Sequence, residues 1–411
     1  MPIPSHTVRA VNDLTARWAR TAAAPGRNTV VSAPSAWVPL AFLAAGAAGS
    51  AAAELGLALG VPPHRAAEAG RQLVGALGEL RGVEAALGVW TRGDLPVELR
   101  WTTALPPDSH RLLGPDTAEN QAELDRWAAD RTAGAIRRMP VTVRPDTELL
   151  LAAALTLRTD WIRPFAARPY RPRSGPWAGL DVTGLSRTTA LLDRVGVADT
   201  EAGPLTVLHV LGLDGIDVHL CLGGEDAAPG AVLAAAVRTA EQPRALRLGS
   251  TLADGEPGPG LRSYWHPSYR SEHQLAQWTV EFELSAEHDL LADAELFGLR
   301  AATDATRGHF PGISSAPLAI GAAAQSATAL FGPKGFRAAA VTAFAAIGAG
   351  TGPTRRPPYR VRRIEADFSR PFAFLAVHRA SRLVLAAGWV AEPRVAEREP
   401  EEPEDWEGTE G

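Results

Sequence analysis

Cysteine and lysine, two of the side chains that enzymes use as nucleophiles, are nearly missing from the chain. Its 411 residues include one cysteine, Cys221, and one lysine, Lys334. A single cysteine excludes an intrachain disulfide and a zinc site built from cysteines. The lysine belongs neither to a GK[ST] phosphate loop nor to an SxxK nucleophile pair. Any lysine chemistry would therefore depend on Lys334 alone.

The other catalytic patterns are also missing. The ten histidines are scattered without an HExxH pair, and there is no GxSxG elbow or EF-hand loop. His209 and His219 lie in apolar, strand-like runs, so we interpret them as structural residues. The glycine-rich run 348–352 lacks a following helix, which favours a flexible loop over a phosphate cradle. We expect a protein that is not an enzyme and that needs no metal or cofactor.

Composition and charge are those of a globular protein. Hydrophobic residues make up 46% of the chain, charged residues 21%, and the net charge is −5. A negative chain is not attracted in bulk to nucleic acid or to anionic membranes. Residues 1–20 read as an amphipathic helix rather than a secretion signal, and no apolar run is long enough to span a membrane. This predicts a cytoplasmic protein without a nucleic-acid or membrane partner.

The pattern of apolar residues places helices first and strands mostly later, which indicates an α+β fold. Helices are predicted over 35–59, 65–88 and 117–133, beside the N-terminal one. Strands are predicted over 149–157, within 205–223 on both sides of a turn at 213–215, over 278–284, and within 372–390 as a hairpin.

The C-terminal end has a composition of its own. Residues 397–411 hold eight acids and one base, a net charge of −7. Such a stretch cannot bury enough apolar surface to fold. We therefore expect an acidic, disordered tail over residues 394–411, which follows the globular part over residues 1–393.

Six blocks in chain order are similar to those of the serpin family, the serine protease inhibitors. They span roughly residues 8–393, and each is weak on its own. The blocks are 28–35 (NTVVSAPS), 127–136 (WAADRTAGAI), 151–165 ending in WIRPF, 289–299 (DLLADAELFGL) with 310–313 (FPGI), 368–372 (FSRPF) and 388–393 (GWVAEP).

The resemblance implies a serpin-like domain with a large central β-sheet, two smaller sheets, about nine helices and an exposed reactive-centre loop at about 335–367. In inhibitory serpins a serine protease, or in some cases a cysteine protease, cleaves this loop and is trapped as an acyl-enzyme. The loop then inserts into the central sheet, which releases stored strain. The resemblance further implies a monomer, and it makes an extracellular location the alternative to a cytoplasmic one.

Residues 334–342 (KGFRAAAVT) align with the hinge from which such a loop inserts. The hinge residues are Gly335, Phe336, Ala338, Ala339 and Ala340. Alternation from Phe336 gives an inward set without charge, and no proline occurs between Gly335 and Thr351, so this segment could become a strand. An Ala-rich run that stays a helix or loop is the alternative.

Three departures from the family pattern count against efficient inhibition. Phe336 replaces a small hydroxyl residue, and overpacking there would cost about 1–3 kcal/mol. The acid before the hinge is replaced by Pro333 and Lys334. At the sheet-opening region Ala153 and Gln325 stand where the family has Asn and His, and Gln325 is expected to hydrogen-bond to Ser32 or Ser35. A non-inhibitory binding protein with the serpin fold is therefore the alternative function.

The position of the reactive bond is ambiguous, because the loop is some ten residues longer than the family pattern. Counting forward from the hinge places the bond at Ala349–Gly350, which suits an elastase-like or subtilisin-like protease. Counting back from Phe368 places it near Arg360, and Arg355 is a third candidate that suits a trypsin-like protease. We favour Ala349. Five arginines at 355–363 also give the acidic tail a positive segment on which it could fold back.

Overall fold

The computed structural model describes residues 3–134, 136–172, 175–304, 306–337 and 357–395. Several predicted features lie outside these ranges. They are the hinge residues Ala338, Ala339 and Ala340, the reactive-bond candidates Ala349, Gly350 and Arg355, and the tail from residue 396 onward.

The described residues form eight α-helices, six of which end before residue 132. This agrees with the expectation of about nine helices concentrated in the first part of the chain. The helices are α1 Ser5–Ala22, α2 Ala33–Gly46, α3 Gly49–Leu59, α4 Pro63–Gly78, α5 Leu99–Thr102, α6 Thr117–Arg131, α7 Pro229–Glu241 and α8 Ala294–Phe297.

Nineteen strands make up the β part of the described chain. They are β1 Thr29–Val31, β2 Val83–Arg92, β3 His110–Leu113, β4 Leu149–Leu157, β5 Thr159–Asp160, β6 Ala166–Tyr170, β7 Val182–Thr189, β8 Val195–Thr200, β9 Gly203–Val210, β10 Ile216–Leu222, β11 Arg247–Leu248, β12 Leu261–Ser268, β13 Gln274–Val280, β14 Phe282–Asp289, β15 Ala324–Phe331, β16 Gly335–Arg337, β17 Tyr359–Asp367, β18 Phe372–His378 and β19 Val384–Val390.

These strands form four sheets. A seven-stranded sheet has the order β1-β19-β18-β10-β9-β8-β11, and a five-stranded sheet has the order β12-β17-β13-β7-β6. A four-stranded sheet, β14-β15-β16-β5, and a three-stranded sheet, β3-β2-β4, complete the set. The predicted α+β class is confirmed, as are the strand over 149–157 and the hairpin β18–β19.

Two boundaries were predicted wrongly. The helix expected over 65–88 ends with α4 at Gly78, and β2 follows it. Pairing of β2 with β3 on one edge and with β4 on the other outweighs the helix propensity of its Glu, Ala and Leu residues. The single strand expected over 278–284 is broken at Glu281, whose backbone N–H donates instead to Thr183 O at 2.9 Å.

The seven-stranded sheet carries the centre of the hydrophobic core. Every residue of β10 and β19 is buried, and helices α1 and α7 pack against this part of the molecule. The predicted apolar face of α1 is buried there, with Trp18 only 1% exposed. Cys221 on β10 is 1% exposed, and burial raises the pKa of its thiol well above the ordinary range. This thiol is therefore chemically inert.

His209 and His219 are directly opposite each other on β9 and β10, with ring centroids 4.4 Å apart. Burial lowers the pKa of His209 to about 4, with smaller downward effects from Arg194 and Arg382 and an upward one from Asp217. Burial, the neighbouring His209 and Arg382 lower the pKa of His219 well below its usual value. The interpretation of both as structural residues agrees with this setting.

The histidine pair predicts a loss of stability in acid. The unfolded chain takes up protons below the ordinary histidine pKa of about 6.5, whereas the folded chain resists protonation until about pH 4. We expect the free energy of unfolding to fall by about 1 kcal/mol per pH unit or more over that window. Denaturant titrations between pH 7 and pH 4 measure this change in the free energy of unfolding.

The double variant His209→Gln/His219→Gln should show a flatter decline of stability with pH. The exposed-site variant His64→Gln should follow the wild type. Equal slopes in all three proteins would contradict the assignment.

Candidate functional site

Strand β4 of the three-stranded sheet and strand β15 of the four-stranded sheet lie on opposite sides of an opening between these two sheets. For most of its length each strand is paired on one edge only, β4 with β2 and β15 with β14. Within the described residues no ladder joins β4 to β15. The first residues of both strands line one cavity, among them Leu149, Leu151, Ala153, Ala324, Gln325 and Ser326. Two unpaired strand edges at one opening form a template for a further strand.

The first part of the predicted hinge occupies the mouth of this opening as strand β16. Phe336 pairs with Phe331 of β15 on one side and with Thr159 of β5 on the other, antiparallel to both. Gly335 lies so close to β5 that a Cβ at this position would come within 2.4 Å of Thr159 O. A glycine is therefore required where the hinge enters the sheet.

The turn before β16 is held by the segment that follows β5. The backbone N–H of Trp161 donates to Lys334 O at 2.8 Å, and its indole Nε1 donates to Gly332 O at 2.9 Å. The N–H of Phe165 donates to Pro333 O at 2.8 Å. The Lys334 side chain points into solvent. The acidic residue that the family has before the hinge is thus absent here. The turn is held by hydrogen bonds to its backbone carbonyls, and its lysine is exposed.

Phe336 lies in the core, and the expected overpacking of its ring is not seen. The residue is 2% exposed, and its ring centroid lies 5.9 Å from that of Phe374. Phe374 in turn contacts Phe282 at 5.1 Å, and Phe282 stacks on Phe331 at 5.2 Å. These spacings are normal for aromatic pairs. Gly388 makes the space, because a Cβ there would lie 2.4 Å from the Phe374 ring.

Gln325 forms the hydrogen bonds that were expected of it. Its Nε2 donates to Ser32 O at 2.6 Å and to Ser35 Oγ, and its Oε1 accepts from the Ser32 N–H at 3.1 Å. Ser32 Oγ also donates to Leu385 O at 2.8 Å. Gln325 therefore links the start of β15 to the start of α2, and Ser32 extends this network to β19. Ala153 lies across the same cavity and has no side chain that could join this network.

A histidine beside Gln325 was missed by the sequence reasoning. His288 on β14 is the direct cross-strand neighbour of Gln325, and its Nε2 lies 2.9 Å from Val30 O. Because a carbonyl only accepts, Nε2 carries the proton. Burial lowers the pKa of His288 despite this hydrogen bond. No motif around His288 marks it, because its role depends on the register between β14 and β15.

The far end of the predicted loop is part of a sheet. Residues 359–367 form β17, which pairs antiparallel with β12 and parallel with β13. The segment between the described strands thus runs from 338 to 358, shorter than the predicted 335–367. Arg360 lies on β17 opposite Pro267, so the peptide bond after it belongs to a strand. This position disfavours Arg360 as a reactive-bond residue, because a protease binds its substrate as a free, extended segment.

Two of the five arginines at 355–363 form hydrogen bonds within the sheet. Arg362 donates to Leu252 O, to Ser250 O at 3.0 Å and to Ser263 Oγ at 3.1 Å. Arg363 bonds to Glu365 at 3.0 Å and to Gln274 at 2.8 Å. The positive charge offered to an acidic tail is therefore smaller than the count of arginines suggests.

Several known proteins resemble this chain in sequence or in fold. Residues 9–174 match the family model described as serpin (serine protease inhibitor). No curated protein matches the chain. Among solved structures, a cleaved serpin 42Da matches with a TM-score of 0.70 and 16% identity, over 96% of this chain and all of the other. The protein has the serpin fold.

Other matches to the serpin fold come from different functional types. Human thyroxine-binding globulin in complex with thyroxine matches with a TM-score of 0.69 and 17% identity, over 95% of this chain and 99% of the other. A serpin from the trematode Schistosoma haematobium matches with a TM-score of 0.65 and 15% identity, over 95% of this chain and all of the other. The serpin-like fold that the six sequence blocks imply is confirmed.

The described ranges contain no group of three or more His, Cys, Asp or Glu that could hold a metal ion. None of the described helices is long and apolar enough to cross a membrane. The opening between β4 and β15 therefore remains the principal candidate site.

Proposed function

We propose that the protein inhibits serine proteases by loop cleavage, acyl-enzyme trapping and strand insertion. The observation that carries this proposal is the position of β16, which already lies between β15 and β5 at the mouth of the opening. The three residues that follow β16 are alanines. Small, uncharged side chains are what a strand needs when it enters between two existing strands.

The register of β16 predicts where the following residues would go. Phe336 pairs with Phe331, so continuation down β15 brings Ala338 opposite Ala329, Ala340 opposite Ala327 and Thr342 opposite Gln325. Each of these β15 residues is buried. Thr342 would then reach the level of Gln325, where its hydroxyl finds an amide partner. The changed sheet-opening region is consistent with this insertion.

Insertion would also stabilise the cleaved protein. A new strand adds backbone hydrogen bonds on both edges, each worth about 1 kcal/mol net. About ten such bonds correspond, for a chain of this size, to a rise in melting temperature on the order of 10 °C. Ala349–Gly350 remains our proposed reactive bond, because the length that can insert is counted from the hinge.

A non-inhibitory binding protein is the second candidate. Ala153 leaves the sheet-opening region without the family's paired polar side chains, and thyroxine-binding globulin shares the fold. The structure also has a large cleft of about 1810 Å³ whose lining includes Trp177, Asp367 and Arg370. A cleft of that size could accept a ligand whether or not the loop inserts.

One experiment separates the two functions. The protein is incubated with elastase, subtilisin and trypsin, and the products are analysed by denaturing gel electrophoresis and by thermal unfolding. A covalent complex that survives SDS, together with a melting temperature raised on the order of 10 °C after cleavage, is the result expected of an inhibitor. Cleavage that gives neither the complex nor the rise would overturn inhibition and favour the binding protein.

A further inference from the structure

Three arginines near the hinge turn have no acidic partner in the part of the chain that the structure describes. Arg187 lies on β7, Arg163 in the connection between β5 and β6, and Arg194 in the short 3-10 turn Leu192–Arg194. No carboxylate forms an ion pair with any of them within the ranges that the structure describes. Burial lowers the pKa of Arg187 to about 10, and the positive charges of Arg163 and Arg194 add to the effect. Arg187 remains charged at neutral pH and has no counter-ion among the described residues.

The contacts of Arg187 are all to neutral groups. Its Nε donates to Gln277 Oε1 at 2.6 Å, and its Nη1 donates to Arg163 O at 2.5 Å. The guanidinium carbon lies 4.1 Å from the centre of the Phe165 ring. These bonds orient the guanidinium and partly compensate its charge, but they do not neutralise it.

The carboxamide of Gln277 provides an independent sign of a missing ligand. Gln277 is 1% exposed and lies directly opposite Arg187 in the β7–β13 ladder. Its oxygen accepts from Arg187, whereas its Nε2 is buried without a hydrogen-bond partner among the described residues. A buried amide N–H without a partner is unfavourable. An acceptor close to Arg187 would satisfy it.

We propose that Arg163, Arg187 and Arg194, together with the amide nitrogen of Gln277, form a binding site for a phosphate-class oxyanion. Guanidinium groups suit such anions, because their planar set of donors matches two oxygens at once. A negative ligand would relieve the repulsion among the three arginines. The ligand is either free phosphate or a phosphate group carried by a small molecule.

The site shares a segment with the hinge turn. Arg163 lies between Trp161 and Phe165, whose N–H groups donate to Lys334 O and Pro333 O. An anion bound at Arg163 and Arg187 would hold this segment in place. We therefore expect phosphate to slow amide hydrogen exchange at Trp161 and Phe165, a readout that does not require protease inhibition.

The test measures binding directly. Melting temperature and isothermal titration calorimetry are recorded with inorganic phosphate, against chloride at equal ionic strength. Because phosphate also stabilises proteins non-specifically, the decisive quantity is the difference between wild type and variants. Arg187→Gln is expected to weaken phosphate binding tenfold or more, and Arg194→Gln severalfold. Arg100→Gln, an equal charge change on the separate helix α5, should leave the affinity unchanged.

The variants are chosen so that folding defects do not obscure the result. Arg163→Gln replaces an exposed side chain, so it reports on the site even if Arg187→Gln fails to fold. A phosphomonoester, glycerol 2-phosphate, forms the second arm, and tighter binding than inorganic phosphate identifies a carried phosphate group as the ligand. Equal phosphate responses in the wild type, Arg163→Gln and Arg194→Gln would overturn the site.

Discussion

Under the proposed inhibitory mechanism, replacing Ala340 with arginine is expected to leave loop cleavage intact and to abolish trapping of the protease. The side chain of Phe336 is buried at the mouth of the opening, so alternate residues of an inserted strand share its inward direction. Ala340 would face Ala327, which is 8% exposed. A guanidinium forced into that position has no partner, and burying it unpaired opposes insertion. The fraction of protease captured in an SDS-stable complex should fall tenfold or more.

Ala339→Arg is the matched control, because in an inserted strand the same side chain one position earlier would face away from the core. Continuation of the register places residue 339 beside Thr328, which is only partly buried. This variant should still form the complex and keep the rise in melting temperature after cleavage. Capture that survives in Ala340→Arg, or that is lost equally in both variants, would contradict insertion in this register.

Replacing Phe336 with alanine is expected to destabilise the uncleaved protein by about 3–5 kcal/mol. The ring is 2% exposed and lies 5.9 Å from Phe374, so its removal leaves a cavity in the aromatic group. Surrounding rings cannot close that cavity easily, since Phe282 and Phe331 are already stacked on each other. Equilibrium unfolding in denaturant measures the change in the free energy of unfolding.

Lys334→Ala provides the reference for this measurement. Lys334 is exposed, and the bond that it forms with Trp161 uses its backbone carbonyl, which the substitution keeps. We expect a change within about 0.5 kcal/mol. If Phe336→Ala costs less than about 1 kcal/mol, then the hinge is not docked in the uncleaved protein, and the proposed start of insertion is wrong.

Several parts of the fold follow from the sequence because they depend on local pattern. The apolar face of α1 and the apolar run of β4 can be recognised without knowing their neighbours. The helix-like composition of β2 conceals a strand, because the decisive interactions are its ladders with β3 and β4, which are distant in sequence. The break at Glu281 likewise depends on a bond to Thr183, far along the chain.

The candidate site was only partly predictable for the same reason. The hydrogen bonds of Gln325 follow from its chemistry, whereas the hinge and the reactive bond stay predictions from the family alignment. The fit of Phe336 could not be foreseen, since it requires Gly388 on another strand to leave space for Phe374. The counting argument for Arg360 overlooked that β17 begins at Tyr359 and removes this residue from the free loop.

The exposed Lys334 has a practical consequence for following the hinge in solution. It is the only lysine in the chain, and it lies in the turn directly before β16. An amine-reactive fluorophore would therefore attach beside the hinge and, apart from that, at the chain's α-amino group. The single cysteine is buried and would not interfere with a second, thiol-directed dye on an introduced cysteine. The unaltered sequence thus offers an attachment point for an optical reporter of loop movement, placed next to the segment whose movement is in question.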